Sequence, residues 1–337
     1  MTVRVGINGF GRTGRAAFRS WWQNRRDDFE IVAINRGPVH VRTHLLRYDS
    51  DYGRFPAEIV DGTDSFTVDG HEVAVFNEND PAKIPWGDAD VDIVIESTGH
   101  YKTGDTASAH IHDSVKKVII SAPAKGEDWT VIMGINDSEY VPNDHRVISA
   151  GSCTTNCVVT AVKVLHDAFT IESGFMTTVH SYTGDQNLVD NSHKDLRRAR
   201  AAGLNIIPTS SGASAAVGRI IPELAGKFDG TALRVPTPTV SLVDLTTNLK
   251  DTPSVGEINE AFLVAAEGPL KGYLAYERDE LVSSDFKEHP ASAIFDAPST
   301  VLVDGRLAKT LEWYDNEWGY SCRLTDVVAM IAERGLE

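Results

Sequence analysis

Short β-branched runs alternate with helical patterns through the first half of the chain. Residues 3–7, 30–35 and 91–97 read as strands, and apolar spacing over about 11–22 reads as a helix. This rhythm predicts a parallel sheet with crossover helices. Residues 65–76 instead alternate apolar and polar positions around Asp69-Gly70, a pair suited to a two-residue hairpin, so a small antiparallel insertion is expected there. Further strands at 117–122, 131–135 and 146–150 lead to Gly151-Ser152, where the pattern changes.

A long amphipathic helix over 153–169 opens the second half. Strands are expected near 174–180, 231–236, 240–249, 293–296 and 309–314, a run that suggests a mostly antiparallel sheet backed by helices. Helical spacing over 321–334 gives a closing helix able to pack back on the first domain. The expected organisation is α/β: a dinucleotide-binding domain over 1–151, rejoined by a C-terminal helix over 318–337, and an α+β catalytic domain over 152–317. No repeat or low-complexity segment is evident.

Composition narrows the function classes. The 337 residues are 42% hydrophobic and 24% charged, enough for two packed domains and unlike a disordered chain. Lys and Arg number 32 against 48 Asp and Glu, and the net charge of −16 repels nucleic acid and anionic membranes at long range. An anionic ligand must therefore be held by local positive groups. Three cysteines (Cys153, Cys157 and Cys322) cannot all pair within one chain and lack zinc-site spacing, so a reducing compartment and no metal are expected. Residues 1–6 run into an apolar strand without a signal-peptide pattern, and no apolar stretch nears bilayer-spanning length, which favours a cytoplasmic protein or the mature form of a processed one.

Gly9-Phe10-Gly11-Arg12-Thr13-Gly14 follows the first strand and opens a helix, the context that a dinucleotide fingerprint requires. Glycines permit the tight turn and close backbone approach, and the helix N-terminus presents N–H groups to a pyrophosphate. The alternative is a glycine-rich turn with no ligand. The second strand should then end in an acid that holds the ribose hydroxyls. Here it ends in Asn35, followed by Arg36. A neutral side chain does not repel a 2′-phosphate and a guanidinium binds one, so NADP is expected as a coenzyme beside NAD. Otherwise Arg36 points to solvent and Asn35 bonds the ribose of NAD.

Cys153 falls where a loop becomes a helix, with Ser152 as cap. A helix N-terminus favours a thiolate, so a lowered thiol pKa is expected, while Cys157 reads as a buried hydrophobe. Cys153 has the same bland alternative, a small core residue. The helix carries the chain roughly 20 Å away and the following strand brings it back roughly 23 Å, returning His180 to the level of Cys153. A lone histidine here is more often structural, but paired with the cysteine it reads as a base. A cysteine, a histidine and a dinucleotide site together imply thiolate attack on an aldehyde, a hemithioacetal, hydride loss and a thioester.

Several segments resemble the phosphorylating glyceraldehyde-3-phosphate dehydrogenases end to end: Ile7-Asn8-Gly9-Phe10-Gly11-Arg12, the run from Ser149 to Cys157, the run from His193 to Arg200, Arg234-Val235-Pro236, and the run from Trp313 to Tyr320. The resemblance implies a Rossmann domain, a catalytic domain, a returning helix and a homotetramer. It makes Cys153 the nucleophile and His180 the acid–base partner. It assigns the substrate's phosphate to Thr183, Asp185 through its neighbours, Arg198 and Arg234, and inorganic phosphate to Ser152, Thr154, Ser211 and Gly212 with help from Arg198. Asn316 resembles the residue that orients the nicotinamide carboxamide; Ser97, Thr98, Gly99, Ser121 and Tyr320 resemble other cofactor contacts. Asn191-Ser192 stands where NAD-specific relatives often carry Leu-Pro or Ala-Pro, and a serine there can reach a 2′-phosphate from the adjacent subunit, in agreement with Asn35-Arg36. The implied reaction converts glyceraldehyde 3-phosphate, phosphate and NAD(P) to 1,3-bisphosphoglycerate, in glycolysis, gluconeogenesis or carbon fixation.

Rival readings are oxidation of erythrose 4-phosphate with water as acceptor, against which the retained phosphate-site hydroxyls argue, and an amino-acid semialdehyde dehydrogenase, which leaves Arg198 and Arg234 unexplained. A redox-sensing or RNA-binding secondary role belongs to a different class, and the net charge opposes nucleic acid as a primary partner.

Overall fold

In the computed structural model, which describes residues 2–24 and 27–337, two compact units emerge: Met1–Gly151 with Ser321–Glu337, and Ser152–Tyr320. Met1 itself lies outside the described residues. The C-terminal return to the first unit thus starts at Ser321, three residues later than the sequence suggests.

The first unit contains β1 (Val3–Asn8), α1 (Arg12–Gln23), β2 (Phe29–Asn35), α2 (Val39–Arg47), a short pair β3 (Tyr48–Asp49) and β4 (Gly53–Arg54), β5 (Ile59–Asp61), β6 (Ser65–Val68), β7 (His71–Phe76), β8 (Ile93–Glu96), α3 (Gly104–Ala107), β9 (Lys117–Ile120), β10 (Trp129–Thr130) and β11 (Val147–Ser149). Nine strands form one sheet in the order β10-β11-β9-β8-β1-β2-β7-β6-β5, parallel from β10 to β7. Val5, Ile7, Ile31, Ile34, Ile93 and Ile95 are wholly buried, as strands covered on both faces require. The order reverses at β1, with β2 on one side and β8 on the other, and such a switch point is where open α/β sheets bind ligands.

The hairpin expected around Asp69-Gly70 forms, with Val68 opposite His71 and positive φ at both turn residues (45° and 87°). The strand expected over 131–135 does not. Asn136 Oδ1 accepts from Ile132 N–H at 2.8 Å and Asp137 Oδ1 from Gly134 N–H at 2.8 Å, so side chains hold this backbone in turns and the strand pairing is confined to Trp129–Thr130.

The second unit contains α4 (Cys153–Phe169), β12 (Ile171–Ser181), β13 (Ile207–Ser210), α5 (Ala213–Ile220), β14 (Phe228–Val235), β15 (Ser241–Leu249), α6 (Val255–Glu267), β16 (Leu274–Glu277), β17 (Ala293–Asp296), β18 (Val301–Val303) and β19 (Leu307–Tyr314). The last helix, α7 (Trp318–Arg334), starts here and continues into the first unit, where Ser20 Oγ lies 3.3 Å from Cys322 Sγ. The sheet order is β13-β14-β12-β15-β19-β17-β16, with β18 beside β19; it is antiparallel except that β12 and β14, and β16 and β17, run parallel. Strand β15 starts at Ser241, because Val240 takes φ 66°. Among the described residues no helix is long and apolar enough to cross a membrane.

Candidate active site

At the nucleotide end of the first unit, Asn8 lies opposite Asn35, and Gly9 N–H donates to the Asn35 carbonyl at 3.2 Å, so the glycine turn abuts the end of β2. Gly9 has φ 94°, and a Cβ there would meet the Thr98 amide nitrogen at 2.7 Å, which leaves room for glycine alone. Gly11 caps α1 without a side-chain hydrogen bond, and the space beside its Cα is open. The first-turn N–H groups thus face an approachable surface, which fits a dinucleotide pyrophosphate. Ser97 Oγ donates to the Gly9 carbonyl at 2.6 Å, Thr98 N–H donates to Glu96 Oε1 at 2.8 Å, and Gly99 takes φ 73°. Ser121 N–H donates to the Glu96 carbonyl at 3.0 Å, so all four stand beyond the C-terminal ends of β8 and β9.

Phe10, Arg12, Thr13 and Asn35 stand at the same end. The Phe10 ring is buried edge-on against Phe18, leaving only its backbone to the turn. Arg12 pairs with Asp49 at 2.5 Å and Asp51 at 3.1 Å, and Thr13 is half-buried in the first turn of α1. Asn35 requires a correction. Its side chain is fully buried, donating to Asn8 Oδ1 at 2.7 Å and the Glu78 carbonyl at 2.8 Å while accepting from Glu78 N–H at 3.0 Å. Both amide hydrogens are donated and the oxygen accepts one bond within the unit, which gives this buried side chain a structural role in place of the ribose contact expected of an exposed one. Arg36 is the first partly exposed residue past β2.

In the second unit Ser152 Oγ accepts from Thr155 N–H at 3.0 Å and caps α4, which places Cys153 at its first residue. His180 comes from the far end of β12, and its Nε2 lies 3.5 Å from Cys153 Sγ. His180 Nδ1 is 2.7 Å from the Ser181 carbonyl oxygen and 3.0 Å from Arg234 Nη1, so Nδ1 is engaged by these neighbours and Nε2 is the ring nitrogen turned to the sulfur. Burial, the Arg234 guanidinium and Arg198 push the imidazole down to about 3, against the Ser181 bond. It is neutral at neutral pH, with Nε2 turned to the sulfur. The thiol departs from expectation. Burial pushes Cys153 up, outweighing the opposing pull of Arg234 and of the Thr154 hydrogen bond, so no thiolate is held in advance.

Positive groups gather around this pair. Arg234 Nη1 is 3.0 Å from both His180 Nδ1 and the Ser181 carbonyl, and 3.4 Å from Thr183 Oγ1. Arg198 pairs with Asp185 and donates to Thr209 Oγ1 at 3.0 Å, and its charge is felt at both His180 and Arg234. Ser211 and Gly212 stand at the N-terminus of α5, which packs beside α4. Asn316 Oδ1 accepts from Ser241 Oγ at 2.8 Å, which holds the amide in place. Tyr320 is buried, which pushes its phenol up. Asn191 and Ser192 lie exposed on the segment between β12 and β13. Among the described residues no group of His, Cys, Asp or Glu could hold a metal ion.

Two residues near these sites carry no sequence signal. Tyr314 OH lies 2.9 Å from both Thr154 Oγ1 and Thr178 Oγ1, tying the start of α4 to β12; it sits in the run from Trp313 to Tyr320, but nothing in that run singles it out. Arg42 packs against the turn after β2, a proximity that only the fold creates.

Known families account for both units. Residues 3–104 match the family model described as glyceraldehyde 3-phosphate dehydrogenase, NAD binding domain, and residues 152–316 match the one described as its C-terminal domain. The chain belongs to the glyceraldehyde-3-phosphate dehydrogenase family. It is 54% identical over 332 residues to glyceraldehyde-3-phosphate dehydrogenase 2 of Streptomyces arenae, covering 98% of this chain and 99% of that one. It is 51% identical over 337 residues to the glyceraldehyde-3-phosphate dehydrogenase of Geobacillus stearothermophilus, with 100% of both chains covered, and 48% identical to glyceraldehyde-3-phosphate dehydrogenase 2 of Bacillus subtilis, over 99% of this chain and 98% of that one. Membership makes this chain an oxidoreductase with a nicotinamide dinucleotide as coenzyme.

Proposed function

We propose that this chain oxidises glyceraldehyde 3-phosphate to 1,3-bisphosphoglycerate through a thioester on Cys153, with inorganic phosphate as acyl acceptor and with NADP as well as NAD accepted. The observation that carries the reading is the 3.5 Å contact between Cys153 Sγ and His180 Nε2. His180 takes the thiol proton as the sulfur adds to the aldehyde carbon, and the resulting hemithioacetal is anchored at its phosphate by Arg234, Arg198 and Thr183. The bound nicotinamide supplies the hydride acceptor. His180 then returns its proton as phosphate cleaves the thioester, with the hydroxyls of Ser152, Thr154 and Ser211 and the Gly212 N–H as the site for that phosphate.

Acceptance of NADP is supported by the absence of an acid at the end of β2, by Arg36, and by Ser192. A homotetramer is supported by apolar side chains left in the open between β12 and β13: Leu188 is 87% exposed, Leu196 82% and Leu204 84%. A second copy covering this segment would also bring its Ser192 to a neighbour. A cytoplasmic site of action is supported by the free cysteines, which suit a reducing compartment.

Steady-state kinetics with glyceraldehyde 3-phosphate, with and without phosphate, and with each coenzyme tests these elements together, and light scattering gives the oligomer. Turnover that persists in Cys153→Ser, or that ignores phosphate, would overturn the chemistry.

A further inference from the structure

The turn from β2 to α2 is built from two consecutive residues in the positive-φ region, Arg36 at 99° and Gly37 at 100°. Arginine is unusual there, and non-glycine residues held in such backbone persist where the surroundings enforce them, often at binding sites. Here Arg36 N–H donates to the Phe76 carbonyl at 2.9 Å, and Gly37 N–H donates to Asn77 Oδ1 at 3.0 Å. Arg42, from the first half of α2, folds back onto this turn: a Cβ on Gly37 would meet its guanidinium carbon at 2.8 Å. Glycine at 37 is thus what lets Arg42 reach the end of β2.

Two guanidiniums then stand close enough that Arg36 adds to burial in lowering the pKa of Arg42. Among the described residues neither has a carboxylate partner. The acids around them are engaged elsewhere: Asp61 with Arg47, Asp80 with Lys83, and Glu78 with the amides of Asn79 and Asp80. Arg42 Nε is buried without any hydrogen-bond partner. Like charges half-buried side by side, one with an orphan donor, are costly unless a multiply charged anion joins them.

We propose that Arg42 closes with Arg36 on the 2′-phosphate of NADP, and so acts as a specificity-determining residue for the coenzyme. The position agrees with the chemistry, because the adenosine ribose of a dinucleotide lies at the end of the second strand of such a fold, just where Arg36 and Gly37 turn away from β2. Two guanidinium forks match a phosphate with at least two charges far better than they match a ribose hydroxyl. The inference rests on the reading that NADP is a coenzyme, and it adds the residue on which that preference turns.

The test uses the full chain, 2′-AMP and 5′-AMP as probes, and kcat/KM for NADP and NAD. Arg42→Met keeps the aliphatic stem and removes the charge; Arg42→Lys keeps the charge and loses the fork. Wild type is expected to bind 2′-AMP about tenfold or more tighter than 5′-AMP. Arg42→Met should abolish most of that preference and lower the NADP to NAD ratio of kcat/KM by about tenfold, with Arg42→Lys in between. A wild-type chain that does not favour 2′-AMP and turns over NAD alone sinks the coenzyme reading and this inference with it. A wild type that favours 2′-AMP, with the preference intact in Arg42→Met but lost in Arg36→Met, leaves the coenzyme reading standing and overturns the role of Arg42. If the Met variant does not melt cooperatively, the Lys variant decides, and an unchanged ratio there counts against the proposal.

Discussion

The hydroxyl of Tyr314 lies 2.9 Å from that of Thr154, immediately after Cys153, and it reaches Thr178 on β12 at the same distance. The ring also packs edge-on to His180, with centroids 6.0 Å apart. Helix α4 and strand β12 are thus tied by one phenol at the point where they present sulfur and imidazole.

Tyr314→Phe should therefore cost stability and catalysis together. Two buried hydroxyls lose a partner, worth about 1–3 kcal/mol, and looser placement of Cys153 should lower kcat by about tenfold with KM little changed. Thermal melts and steady-state kinetics check both; unaltered kcat would reduce Tyr314 to a packing residue.

His180 carries a pH signature. Its folded pKa of about 3 lies below the ordinary 6.5, so the stability it contributes is present above 6.5 and is lost as pH falls towards 3. His180→Asn should flatten that acid limb in melts taken from pH 7 to pH 4, and lower kcat/KM by about 10²–10⁴-fold. Because burial raises the Cys153 thiol, alkylation of the coenzyme-free chain by iodoacetamide should keep rising with pH above neutrality. A plateau at neutral pH would contradict the neutral thiol.

Glu312 on β19 is wholly buried, and neither carboxyl oxygen has a hydrogen-bond partner; the nearby Thr310 hydroxyl stops short of bonding geometry. Burial raises its pKa to about 8 despite Thr310, with the charges of Asp244 and Asp296 adding to the rise. The folded state holds this proton more tightly than an unfolded chain at 4.5, so stability falls as pH rises from 4.5 and levels off above about 8. Glu312→Gln should raise the free energy of unfolding at pH 8 by on the order of a few kcal/mol, read from denaturant melts, with the gain vanishing towards pH 4.5. A gain independent of pH would show that the carboxyl does not titrate there.

Asn35→Asp separates structure from coenzyme choice. An acid at the end of β2 would ordinarily favour NAD, yet here it would turn an oxygen towards Asn8 Oδ1 and the Glu78 carbonyl, where the amide now donates. Loss of about 1–3 kcal/mol in denaturant melts, without a switch in the NADP to NAD ratio, is the expected outcome. A clean switch at full stability would return Asn35 to the ribose.

The order of strands, the glycine turn and the Cys153 helix were legible in the sequence, because local backbone rules govern them: period-two and period-3.6 patterns, glycine φ, and a serine cap. The meeting of Cys153 with His180 was also within reach, since rise per residue fixes how far a helix leaves and a strand returns. Where side chains replace ladder bonds, pattern misled, as at 131–135, where Asn136 and Asp137 hold the backbone in turns. Ionisation was misread for a related reason: the helix N-terminus is visible in sequence, but the burial that raises the Cys153 thiol is a property of the packed unit. Sequence by itself determined which chemical groups this protein carries and the family to which they belong. Only the tertiary structure decided that the Asn35 amide is consumed by Asn8 and Glu78 and that Tyr314 ties α4 to β12, because those contacts join elements whose separation along the chain says nothing of their distance in space.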